Sequence, residues 1–163
     1  MIDQAELELQ RLVSERRARD AEGVADLLRL LGPLTDSELR ERSTDDPGPW
    51  LADLSAQRRV LQVSYAGEKW WAAIEDASRL RDALGVPLPI GVPTAFVEPV
   101  ADPLGDLVAR HARTHGPFTS EAVGARFGLG TAVVESVLQR LTDERRVTSG
   151  EFRPGATGPE WCD

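Results

Sequence analysis

Gly32-Pro33-Leu34-Thr35 returns 84 positions later as Gly116-Pro117-Phe118-Thr119, and the two copies sit in the same succession of elements. Before each lies an amphipathic helix. Val24, Leu27, Leu28 and Leu31 precede the first copy, and Leu104, Leu107, Val108 and His111 the second, both at spacing i, i+3, i+4, i+7. The Gly-Pro step stops each helix. After the first copy, Thr35-Asp36-Ser37-Glu38 is a capping box that opens a short helix to Arg42; Ser120 to Phe127 is its counterpart. A third helix is predicted from Trp50 to Gln57, with Trp50, Leu51 and Leu54 inward. In the second copy, Thr131 caps a helix whose Val134, Val137, Leu138 and Leu141 share one face. Arg58-Arg59-Val60 then answers to Arg145-Arg146-Val147 at an offset of 87, the three extra residues falling in the turn before the third helix.

The period changes after each third helix. Val60, Gln62 and Ser64 alternate with Leu61, Val63 and Tyr65, Ala66-Gly67-Glu68 turns, and Lys69 to Ile74 returns, which reads as a β-hairpin. In the second copy, strands near Val147 and Phe152 flank a long tip from Pro154 to Pro159. Helix, helix, helix, hairpin is the winged-helix plan, and its repetition is the main organisational signal. The expected fold is mainly α with small β-hairpins (α+β), built from two tandem winged-helix units. Residues 1–20 are read as a lead-in helix, 21–85 as the first unit, 86–103 as a Pro-rich connector and 104–163 as the second unit. The first unit includes a helix from Asp76 to Leu84, closed by Gly85. The connector holds five prolines in eighteen residues but also Leu88, Ile90, Val92, Phe96 and Val97, so it should pack along a neighbouring surface. Each copy alone, at about 60 residues, has a marginal core.

Composition narrows the function classes. Of 163 residues, 41% are hydrophobic and 28% charged, a globular balance. The net charge of -8 argues against a basic arm on nucleic acid and a polybasic membrane binder. No apolar run approaches a membrane span and no signal peptide is visible. Cys162 is the one cysteine, so no intrachain disulfide forms, and a reducing cytosol fits. There is no GxxxxGK[ST] phosphate loop, no Gly-x-Ser-x-Gly and no HExxH; Asp143-Glu144-Arg145-Arg146 ends a helix and is no helicase DExH box. No catalytic, metal or cofactor site is expected.

In a winged helix the third helix is the one that can enter a DNA major groove. The first copy offers only Asp53, Ser55 and Gln57 there, a poor groove reader; the second offers Glu135, Ser136, Gln139, Arg140 and Asp143. The candidate DNA-contacting residues are therefore Arg126, Arg140, Arg145, Arg146 and Arg153, with Lys69 in the first hairpin. Both copies are net acidic, -4 over 21–85 and -2 over 119–163, so protein packing competes with DNA contact as the use of the fold. Trp50 is read as core. Trp70 and Trp71 are adjacent on a strand, so one faces in and one out; the outer one packs locally or stacks on an unpaired base. Trp161 should close the second wing, and Cys162 is structural. His111 and His115 stand at i, i+4, but with no third ligand they too are structural.

Longer stretches resemble a known family. Ala95-Phe96-Val97-Glu98-Pro99-Val100-Ala101-Asp102-Pro103-Leu104-Gly105-Asp106-Leu107-Val108-Ala109-Arg110, continuing through Arg113 to Thr119, is similar to the C-terminal half of Lhr, the large helicase-related proteins. Glu75-Asp76, Arg79 to Gly85, Gly150 to Gly155 and Glu160-Trp161-Cys162-Asp163 add to the likeness, which runs from about Leu12 to Asp163. The resemblance implies a piece of a superfamily 2 ATP-dependent DNA translocase and 3′-to-5′ helicase linked to DNA repair, of an actinobacterial kind. It implies ATP and Mg in a motor elsewhere in the parent. It also implies a C-terminal region of tandem winged helices and a β-barrel similar to AlkZ-type DNA glycosylases, associated with oligomerisation and, in some members, uracil-DNA glycosylase activity. No catalytic residue of helicase or glycosylase carries over to any position here. The implied partners are the rest of the parent helicase, DNA as single strand or tailed duplex, and a second copy in a homo-oligomer, with no membrane and a cytoplasmic, nucleoid-associated location. A protein-interaction module without DNA contact is the alternative from another class, and a standalone transcription regulator a third.

Overall fold

The computed structural model describes residues 17–115, 117–150 and 160–162. They fall into two compact units, 17–103 and from 104 onward. The expected lead-in helix lies outside the described residues up to position 16. Residues 17–20 are not helical: the Ala18 N–H donates to the Arg42 carbonyl at 2.6 Å and the Thr44 N–H to the Ala18 carbonyl at 2.9 Å, a parallel bridge. Asp20 begins the next helix instead, its Oδ1 accepting from the Gly23 N–H at 2.7 Å.

In the first unit, α1 (Ala21–Leu31) buries Val24, Leu27, Leu28 and Leu31. The predicted capping box forms at α2 (Asp36–Glu41): Thr35 Oγ1 accepts from the Glu38 N–H, and Glu38 Oε1 accepts from the Thr35 N–H at 3.0 Å. The third helix, α3 (Gly48–Ala56), starts two residues before its predicted first residue, because Asp46 Oδ1 takes the Gly48 N–H at 3.0 Å and Pro49 suits a first turn. Leu51 and Leu54 are buried, but Trp50 is only half-buried. It lies about 40° from Leu54 and about 100° from Leu51 around the helix, at one edge of the apolar stripe, so it edges the core and does not fill it.

Strands β1 (Val60–Tyr65) and β2 (Glu68–Ala73) pair antiparallel from Val60↔Ala73 to Tyr65↔Glu68. Ala66 and Gly67 both have positive φ, 51° and 74°, the two-residue turn whose twist matches a hairpin. Leu34 adds a short third strand through two bonds to Trp71, 2.8 and 3.0 Å. Trp70 is the inward tryptophan, stacked on Tyr65 at 4.8 Å with its Nε1 donating to the Tyr65 carbonyl. A single 3-10 turn (Ile74–Asp76) precedes α4 (Ala77–Leu84). Beyond it Val86 is buried, and a second 3-10 turn (Thr94–Phe96) packs against Ile74–Asp76, while Ile90 stands fully exposed.

The second unit contains α5 (Pro103–Thr114), α6 (Ser120–Phe127), α7 (Thr131–Asp143), β3 (Thr148–Gly150) and β4 (Glu160–Cys162). Val134, Val137, Leu138 and Leu141 of α7 are buried, as their spacing predicts. Gly130, in extended conformation, takes the cap position of α7; Thr131 is already the first helical residue and caps nothing with its side chain. β3 pairs antiparallel with β4; Phe152, Arg153 and the tip at 154–159 lie outside the described residues. Phe118 bonds Trp161 as Leu34 bonds Trp71, here at 2.7 and 3.0 Å. Trp161 is buried, and its Nε1 donates to Ser120 Oγ at 3.1 Å.

One pair of helix ends carries the repeat as well, that of α3 and α7. α4 and α6, which are not repeat partners, stop at Gly85 and Gly128 in left-handed conformation. α3 and α7 stop at arginines in that same conformation, Arg58 at φ 57° and Arg145 at φ 60°. The N–H groups of Arg58 and Arg59 bond the carbonyls of Ser55 and Leu54; those of Arg145 and Arg146 bond Thr142 and Leu141. These are matching Schellman ends with a side chain where glycine is the usual residue. Arg145→Gly is expected to raise stability by about 0.5–1 kcal/mol, seen as a higher urea midpoint. Ser120→Ala, which strips the buried Trp161 N–H of its acceptor, should cost about 1–3 kcal/mol in the same measurement.

Candidate nucleic-acid interface

The outer face of α7 is nearly neutral. Val133 is exposed, and Gln139 donates to Asp143 at 3.1 Å, so two polar side chains there satisfy each other. Arg140 is exposed in the last turns of α7. The chain then turns at Glu144 and presents Arg145 and Arg146 outward just before β3. Arg146 lies 3.7 Å from Glu144. Arg145 has no ion pair among the described residues. Thus three of the predicted cations, Arg140, Arg145 and Arg146, share one short segment between the third helix and the wing. Arg126 does not join that segment: it is half-buried in the last turn of α6. Arg153 lies outside the described residues.

Lys69 belongs to the other unit. It is exposed on β2, opposite Ser64 and close to the hairpin turn. Of the two arginines after α3, Arg59 is engaged: it binds Glu22 of α1 through both terminal nitrogens, Nη2 to Oε2 at 2.9 Å. That hydrogen bonding holds the Glu22 carboxyl below the usual range. Arg58 is exposed with no ion pair among the described residues. The sequence carries the signal for it, since Arg58 is the repeat partner of Arg145, but adjacency to Arg59 hides which of the two is free. Trp71 is half-buried with its Nε1 fully covered, leaving only part of the indole available for stacking.

This arrangement is a short run of exposed guanidinium groups, whose chemistry is that of pairing with anions. Among the described residues, no three His, Cys, Asp or Glu side chains are grouped to hold a metal ion, and no helix is long and apolar enough to cross a membrane.

The winged-helix domain family of large helicase-related proteins matches residues 1–99. The chain belongs to the Lhr family. It is 57% identical over 157 residues to the "Lhr helicase/ probable uracil glycosylase" of Mycolicibacterium smegmatis, covering 96% of this chain and 10% of that protein. It is 42% identical over 147 residues to the "Lhr helicase/uracil glycosylase" of Escherichia coli K12, covering 88% of this chain and again 10% of the relative. The chain thus spans about a tenth of the length of these Lhr relatives, and the winged-helix assignment falls on the unit built from α1 to α4.

The histidines of this Lhr segment are packing groups. His111 is buried in α5, stacked on His115 at 3.8 Å and met edge-on by Phe118 at 5.1 Å. Stacked rings point their nitrogens along parallel planes, so the pair cannot converge on one metal ion. His115 Nδ1 lies 2.8 Å from the His111 carbonyl. Burial first, then the neighbouring His115 and Arg126, push the His111 pKa down to about 3. The unfolded chain therefore takes up this proton near pH 6.5 and the folded chain does not until near pH 3. Stability is full above pH 6.5 and falls as pH drops through the window from 6.5 toward 3. The expected slope is at most about 1.4 kcal/mol per pH unit. Urea midpoints at pH 7.5 and 5.5 should show this loss, and His111→Leu should flatten it.

Proposed function

We propose that the chain is a non-catalytic tandem winged-helix module of an Lhr-type ATP-dependent DNA helicase acting in DNA repair, contacting DNA through the segment from Arg140 to Arg146. The observation that carries this reading is the structural repeat. Each unit has three helices followed by a hairpin, with a bridge from the Gly-Pro segment to a wing tryptophan (Leu34–Trp71, Phe118–Trp161) and an arginine in left-handed conformation after the third helix (Arg58, Arg145); the first unit adds α4 after its hairpin. The family match supports the first copy, and the repeat extends the same plan to the second. The names of the relatives support a parent with helicase and uracil glycosylase activities. The chain's own residues supply neither: ATP and Mg belong to a motor elsewhere, and the glycosylase chemistry to another part of an AlkZ-like region. The expected location is the cytoplasm, at the nucleoid.

Exposed cations at the start of a wing suit phosphate contact, which fixes position without reading sequence. The second reading, a scaffold or homo-oligomer interface, is favoured by the net charge of -8, which opposes phosphate contact. A salt titration of binding to single-stranded, duplex and tailed DNA separates the two. DNA contact predicts affinity that falls with salt, and a slope reduced by about 2 when Arg145 and Arg146 are both changed to Ala. Absence of binding at low salt, with self-association in sedimentation, would establish the scaffold reading instead.

A further inference from the structure

We infer that Arg58 is a second phosphate-binding position, in the first unit, and that the groove beside it receives an unpaired nucleotide. The inference rests on the DNA-contact reading above and adds to it a residue, a place and a strand type.

Three observations lead there. Arg58 keeps a left-handed backbone, φ 57°, at a helix end where glycine would be relaxed, and its repeat partner Arg145 does the same. Backbone strain held at the same place twice, each time under an exposed arginine, points to a use for the side chain. Second, the guanidinium is free and yet positioned. It lies against Gly91, its Cζ 3.7 Å from where a β-carbon of that residue would stand. Acids outnumber bases 27 to 19 in this chain, yet Arg58 has no acidic partner among the described residues, whereas its neighbour Arg59 is bound to Glu22. Third, Arg58 lines a groove of about 310 Å³. Ser55 and Gln62 give that groove hydrogen-bonding groups, and Val60 and Ile90 give it an apolar wall. One cation, two neutral polar groups and an apolar wall match a phosphate with an unpaired base next to it. In a duplex the base is stacked away and only the phosphate can be met, so the groove favours single strand.

The test uses the whole 163-residue chain and short fluorescent oligothymidylate, with a duplex of equal length beside it. Arg58→Gly removes the cation and relaxes the helix end, so a fold at least as stable as the parent is expected, checked by urea midpoint. Single-strand affinity at low salt should fall about three- to tenfold, the salt slope should drop by about 0.7, and duplex affinity should change less. Arg58→Lys keeps the charge at the same backbone strain and should recover most of the affinity. Ile90→Asp, at a fully exposed position that the fold does not use, should weaken single-strand binding as well. Unchanged single-strand affinity in Arg58→Gly overturns the inference while leaving the DNA-contact reading intact, provided Arg145→Ala with Arg146→Ala still weakens binding. Equal losses on single strand and duplex overturn the groove. If the parent chain binds no DNA at all, both readings fall.

Discussion

Each unit depends on a pair of backbone hydrogen bonds between the Gly-Pro segment and the wing. Leu34 and Trp71 exchange them in one, Phe118 and Trp161 in the other. An isolated two-stranded hairpin is marginal in water; a third strand and a helical surface make it stable. The bridge supplies the strand; the tryptophan that makes it is buried in the second unit (Trp161) and half-buried in the first (Trp71). In the second unit the same tryptophan also donates to Ser120 at the start of α6, so one residue ties hairpin, bridge and helix together.

The two units use their arginines in a parallel way. After each third helix the chain must reverse into a strand, and a Schellman end does this in two residues. Glycine would make the reversal with least strain. Arginine makes it at a cost, and stands on the outer corner of the turn. The following arginine differs between units: Arg59 is held by Glu22 of α1, while Arg146 stands 3.7 Å from Glu144, two residues before it. Near-identical sequence pairs therefore leave different charge available: among the described residues, Arg58 is without an ion pair in the first unit while Arg59 is bound, and in the second Arg145 is without one and Arg146 has a single 3.7 Å approach to Glu144.

The buried His111 shows the opposite treatment of a titratable group. Its ring is enclosed by His115, Phe118 and Phe127 and kept neutral by burial. It fills a core position as a flat, polarisable side chain, and its cost appears only on the acid side. The i, i+4 histidine spacing that metal sites also use is here a stacking arrangement.

Helix periodicity, the capping box at Thr35 and the Gly-Pro repeat were legible because each depends on residues within one turn of one another. Local chemistry also placed the hairpin at Ala66-Gly67 and the inward faces of α1 and α7. The lapses were local competitions that pattern alone does not settle: Asp20 capping α1 where a lead-in helix was expected to end, Gly130 taking the cap from Thr131, and Trp50 at the edge of its stripe left half-buried. The candidate site was half legible. Composition and repeat position named Arg140, Arg145 and Arg146, but Arg126 turned out half-buried and Arg59 engaged. Which guanidinium is free depends on partners 37 residues away in the chain, as Glu22 is from Arg59, and on a backbone angle at Arg58 that side-chain identity does not reveal. Pairing at that distance exists only once the helices and wing have packed, so only the tertiary structure could decide it.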